Sequence, residues 1–321
     1  MKRDDLHNDL LRVLKNKIPE QTVLVERLMD ILYMERGAIY RRLRGIVPFT
    51  FFEVVNIAEK LGISMYELMS VDSVQVDRFE LKIIEYTNMN EADYKQWENY
   101  IALISSANNA SQSELAESSN VLPITIYAKY ESLVRYFLFK YQYLLNESEN
   151  RVSFGDIVIP ERLSRIYRSY FSESKNFTNT IYIWDNLIFR YLVTDIRYFS
   201  EINLISAENI LEIKNDLFAL LDYIEEITLN GCFQETGKPV SFYISDVNFD
   251  ADYSYVQIDD FYMTHVRTFI LNSVASTDLS SFRKTKNWIH SLKKSSTLIT
   301  QSAAAFRGDF FEKQRKIISE L

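Results

Sequence analysis

The sequence has 321 residues, 47% of them hydrophobic and 25% charged, and a formal net charge of −8. This length supports two or three domains with a sizeable core, and the composition is that of a globular chain. The lone Cys232 excludes an internal disulfide and a multi-cysteine zinc site, the three histidines (His7, His265, His290) are too scattered for a metal-ligand motif, and no run of about 18 apolar residues is present to span a membrane. The charged opening, MKRDDLHNDL, lacks the apolar core of a signal peptide. The expectation is a cytoplasmic protein with no metal and no cofactor.

Charge is unevenly placed. Residues 1–75 hold eleven of the 36 basic and eleven of the 44 acidic residues, leaving 25 and 33 for the remainder. The N-terminal quarter is therefore neutral, and it can meet a polyanion without general repulsion. Seven Gly and five Pro are few, which favours long helices.

In chain order, Leu6, Leu10, Leu11 and Leu14 mark one face of a helix over 4–19, ended by Pro19. Val25, Leu28, Met29 and Leu32 mark a second over 22–33. A third spans 36–43, with Ile39 and Leu43 inward and Gly45 placed to close it. Thr50 and Glu53 form a capping box with Phe49 and Val54 as its staple, opening a helix that buries Val54, Ile57, Ala58 and Leu61 and stops at Gly62. Ser64 and Glu67 repeat the device for a fifth helix. Residues 1–70 thus read as a five-helix domain, and 71–78 as a linker.

The connection between the second and third helices has helix-turn-helix spacing. The segment LMDILYMERGAIYRRLRGIVPFTFFEVVNIAEKLGISMYELM resembles the lambda-repressor-like helix-turn-helix domain of many bacterial regulators. Leu28, Leu32, Ile39, Leu43, Gly45, Ile57, Ala58, Leu61, Ile63, Ser64 and Leu68 stand at that family's positions. The sequence departs at Met29, where the family has a small residue, and at Tyr33, where it has Gly in the turn. Tyr33 is expected to avoid the left-handed conformation that Gly supplies.

The resemblance implies a third helix, about 36–44, in the major groove of double-stranded DNA. Four arginines fall there, and no acidic residue stands between Glu35 and Glu53. Arg36, Tyr40 and Arg41 are expected near bases and Arg44 at a phosphate. Arg42 is expected at a phosphate or paired with an acidic neighbour, and Gly37 leaves room for close approach.

Residues 79–321 read as a larger, mostly helical α+β domain with room for a subdivision near 150. Helices are expected at 79–86, 91–107, 121–146, 160–172, 177–200, 206–229, 278–293 and 303–320. The polar stretch SSANNASQSELAESSN reads as a loop or hinge. From Pro239 the period changes to two, and VSFYISDV, DYSYVQID and YMTHVRTFILNSV read as a three-stranded antiparallel meander. His265 and Arg267 share one face of the last strand and could hold an anionic effector. No Gly-rich phosphate loop, Ser-His-Asp spacing or HExxH is present.

The fold class expected is mainly α. The function expected is a sequence-specific DNA-binding transcriptional regulator, not an enzyme, acting as a homodimer with a small-molecule or peptide effector as a further partner. The alternatives are a protein-interaction adaptor that uses the small domain for docking, or an uncharacterised enzyme fused to a DNA-binding domain.

Overall fold

The computed structural model describes residues 3–63, 79–145 and 152–321. The chain divides into two compact units, Met1–Val76 and Asp77–Leu321. The expected fifth helix and the linker at 71–78 lie outside the described residues.

The first unit contains α1 (Arg3–Lys17), α2 (Gln21–Leu32), α3 (Arg36–Leu43) and α4 (Phe51–Leu61). Their apolar stripes meet in one core of Leu10, Leu14, Leu24, Val25, Leu28, Ile39, Ile57, Ala58 and Ile63. Three helices end in the same way, through a residue with positive φ and a six-to-one backbone bond. Gly45 (φ 73°) follows α3, where the Ile46 N–H donates to the Arg41 carbonyl at 2.9 Å. Gly62 (φ 58°) follows α4, where the Ile63 N–H donates to Ala58 at 2.8 Å.

After α2 that position is Tyr33, at φ 53° and ψ 45°, and the Met34 N–H reaches the Met29 carbonyl at 3.3 Å. The expectation for Tyr33 is thus reversed: it takes the left-handed conformation without being Gly. Its side chain is 94% exposed, so it meets no neighbour, and the cost stays with its own Cβ, at about 1–2 kcal/mol.

The second unit is built on an eight-stranded mixed sheet in the order β1-β7-β6-β5-β2-β3-β4-β8. The strands are β1 (Glu80–Leu81), β2 (Ser113–Ser119), β3 (Asn179–Asp185), β4 (Val240–Ser245), β5 (Tyr253–Ile258), β6 (Phe261–Thr268), β7 (Asn272–Ser276) and β8 (Ser296–Leu298). Among the described residues, only β2–β3 and β3–β4 are parallel pairs. The helical crossovers that such pairs need supply α6 (Ile124–Tyr127), α7 (Glu131–Leu145) and α8 (Glu161–Glu173) after β2, and α9 (Ile188–Glu201) and α10 (Ala207–Asn230) after β3. The other helices of the unit are α5 (Glu91–Ser105), α11 (Leu279–Leu292) and α12 (Ala304–Ser319).

Alternation along the central strands feeds two faces. Tyr182, Trp184, Phe242 and Ile244 join the main core with α7, α9, α10 and α12. Ala116, Ile181, Ile183 and Tyr255 pack with Phe282 and Ile289 of α11.

Several sequence expectations are corrected here. SELAESS, expected in a loop, is β2, at the centre of the sheet and almost wholly buried. Its polar side chains find partners inside: Thr125 donates to Glu117 at 2.5 Å, Asn179 to Glu114 at 2.7 Å, and Tyr255 to Glu114 at 2.6 Å. The helix expected over 177–200 begins as β3, because Ile181 and Trp184, which share a helical face by spacing, point to opposite sides of a strand. Residues 79–86 form β1 and an extended segment, whose Ile84 N–H donates to Asn272 at 2.8 Å. The meander is β5-β6-β7, whereas β4 lies on the far side of β2 and β3. The sheet is therefore larger than a small meander, on a chain that remains helix-rich.

Candidate nucleic-acid interface

Helix α3 is seated by Ile39, which is fully buried, and by the half-buried Leu43 and Tyr40 against the same core. Three residues, Tyr33 to Glu35, separate it from α2. Ala38 and Arg42 are partly buried. Arg36, Gly37, Arg41 and Arg44 are all exposed.

The Arg36 guanidinium donates to Glu26 at 3.3 Å across an open surface, with 54% and 59% of the two side chains accessible, so water screens the pair heavily. Arg41 makes no side-chain bond to any described residue. Arg44 lies 5.9 Å from the centroid of the Tyr40 ring, the outer limit of a cation–π contact. A Cβ built on Gly37 would meet nothing within 4 Å, so packing does not require a glycine there and the space beside it is open.

Arg42 has a different place. Its Nε donates to Glu53 Oε2 at 3.0 Å and its Nη2 to Oε1 at 2.7 Å, with side chains only 14% and 11% accessible. The same carboxylate accepts from the Thr50 N–H at 2.8 Å, completing the capping box of α4. Burial alone would raise the Glu53 pKa, but the Arg42 fork and the Thr50 N–H outweigh it and hold the group below its ordinary value. Of the two partners expected for Arg42, the acidic neighbour is the one present: the residue ties α3 to α4, and its fork is not offered to solvent. It also neutralises the one acidic side chain in the stretch from Arg36 to Ala58. The outer surface of α3 therefore keeps the charge of Arg36, Arg41 and Arg44.

His265 and Arg267, expected to hold an anionic effector, are both engaged by neighbouring groups. The Arg267 guanidinium is spent on the Ile270 carbonyl (2.6 Å) and on Asp252 (3.3 Å). His265 packs edge-on against Tyr100 at 5.5 Å, and desolvation pushes its imidazole down to about 4, so it is neutral near pH 7. A guanidinium already committed to Asp252 and an uncharged imidazole are a weak pair for a free anion.

Elsewhere in the second unit, Glu114 joins Lys286 (2.7 Å), Tyr255 and Asn179 in one network, with the His290 Nε2–H donating to the Tyr255 hydroxyl oxygen at 2.9 Å. These bonds hold β2, β3, β5 and α11 together. A cavity of about 140 Å³ lies between α7 and α8, lined by Lys129, Glu131, Tyr167 and Arg168. No described helix is long and apolar enough to cross a membrane.

Sequence reasoning did not single out the apolar side chains around α3. Ile46 is 66% exposed, Phe51 70% and Phe52 79%. The signal for Phe52 was present, since it falls on the side of α4 opposite Val54, Ile57 and Leu61.

Comparisons with protein-family models, with curated proteins and with solved structures found no match to this chain.

Proposed function

We propose that this chain is a sequence-specific DNA-binding regulator that reads the major groove with α3. One observation carries the reading: a short helix seated by Ile39 turns Arg36, Arg41 and Arg44 outward, while Glu53, the one acidic residue from Arg36 to Ala58, is sequestered by Arg42. Arginine suits both roles such a helix has, since its fork fits guanine O6 and N7 and pairs with phosphate. The resemblance of the segment to lambda-repressor-like domains points the same way. A cytoplasmic site of action follows from this reading.

One small unit makes few contacts, so two copies on adjacent half-sites are the expected route to tight binding, with the second unit as the dimerisation body. The network around Glu114 and the large mixed core suit a rigid body of that kind.

Immunoprecipitation of the tagged chain with sequencing of bound DNA tests the proposal. A set of enriched sites sharing one half-site motif is expected. No enriched DNA, together with a stable protein partner, would favour the adaptor reading and overturn this one.

A further inference from the structure

Among the described residues, five large apolar side chains are at least 66% exposed, and four of them, Tyr33, Ile46, Phe51 and Phe52, fall within residues 33–52. Single exposed apolar residues are ordinary, but a group beside one helix marks a contact surface. Three of the four stand at, or immediately before, a residue bonded to α3. The Ile46 N–H is bonded to the Arg41 carbonyl. Phe51 and Phe52 immediately precede Glu53, which Arg42 grips through both carboxylate oxygens.

The two phenyl rings stand edge to face, 6.3 Å apart at 72°. Their backbone is fixed on both sides, by the Thr50–Glu53 capping box and by the Arg42 fork. They are therefore held out from a rigid first turn beside α3.

Charge decides what covers them. No acidic residue lies between Glu35 and Glu53, and Arg36, Arg41 and Arg44 are exposed on the same segment. The ligand must be anionic and must also offer apolar surface. Duplex DNA offers both, in its phosphates and in its deoxyribose and base faces. We propose that Phe51 and Phe52 form an aromatic wedge that packs on the sugar and base edges flanking the segment under α3, and that the wedge bends the DNA. This rests on the DNA-binding reading above. Apolar wedges inserted from the minor groove partly unstack a base step and kink a duplex by about 20–90°, and the minor groove flanking the α3 segment is where such a wedge would enter.

The test uses the full chain and a duplex recovered with it from a randomised pool, labelled at its ends with a fluorescent donor and acceptor. Saturating wild-type protein is expected to raise energy transfer. The double variant Phe51→Ala/Phe52→Ala is expected to bind about tenfold more weakly and to leave transfer near that of free DNA when saturating, with an unchanged melting curve. Equal bending by the double variant, or no bending by the wild type, would overturn the wedge while leaving DNA binding intact. A wild-type dimer in sedimentation that the double variant converts to monomer would also overturn it, since the rings would then cover a second copy. Failure to recover any duplex would overturn the DNA-binding reading and the wedge with it.

Discussion

Arg42→Ala tests how α3 is held. The substitution removes two charged hydrogen bonds, at 3.0 and 2.7 Å, from a carboxylate that is 11% accessible. Glu53 keeps only the Thr50 N–H as a close donor. Hydrogen bonds to charged groups contribute about 1.5–3 kcal/mol each, and stranding one member of a buried pair costs about 3–5 kcal/mol. Glu53 retains some water, so a loss of about 2–4 kcal/mol is expected for the first unit.

The assay is urea unfolding of the full chain followed by two signals. All three tryptophans (Trp97, Trp184, Trp288) lie in the second unit, so their fluorescence reports that unit alone, whereas far-ultraviolet dichroism reports both. Arg42→Ala should move a dichroism transition to lower urea and leave the fluorescence transition in place. The effect should shrink in acid. The folded Glu53 pKa is depressed below its ordinary 4.5, so the pair's contribution is complete above that pH and fades as pH falls through the folded value. In a double-mutant cycle with Glu53→Ala, a coupling below about 0.5 kcal/mol would refute the account of Arg42 as the α3–α4 tie.

Other expectations can be checked by the same unfolding measurements. Tyr33→Gly should stabilise the first unit by about 0.5–1 kcal/mol, because Gly takes φ 53° without the Cβ penalty; a loss of stability would show that Tyr33 makes a contact worth more than its strain. Burial first, with Asp252 adding to it, pushes the Glu117 carboxyl up to about 7. A carboxyl raised on folding loses stability as pH rises from about 4.5 to 7, so Glu117→Gln should gain on the wild type across that interval by on the order of 2–3 kcal/mol. A constant difference from pH 4.5 to 7 would contradict a neutral Glu117. Lys175 is 1% accessible, donates to the Phe171 carbonyl at 2.7 Å and is pushed by burial down to about 6. Lys175→Met should therefore be the more stable protein at pH 7, with its advantage narrowing as pH rises toward 10. An advantage that widened with pH would reverse the sign of that argument.

The first unit was legible because its rules are local. Ile39 and Leu43 four apart, Gly45 and Gly62 at helix ends, and Thr50 with Glu53 each carry their meaning within a few residues. The second unit was legible only where its helices are amphipathic. Strand β2 reads as polar because Glu114, Glu117 and Ser118 are satisfied by Lys286, Thr125 and the Tyr253 carbonyl, partners that stand between 8 and 172 positions away in sequence. Ile181 and Trp184 of β3 stand at helical spacing with Ile188, although only the last is in a helix. At the site, the outward arginines followed from the helical period, but the commitment of Arg42 to Glu53 needed the fold of α4 against α3. His265 and Arg267 share a strand face as expected; the residues that consume them, Tyr100 and Asp252, come from other elements.

The most direct test of the central claim is the salt-dependent affinity of the full chain for its selected duplex, measured for the wild type, Arg41→Ala and Arg36→Ala. The wild type should show a log affinity that falls linearly with log salt, and Arg41→Ala should bind several-fold or more weakly with a shallower slope and an unchanged melting curve. Unchanged affinity in both variants would show that α3 does not face the DNA.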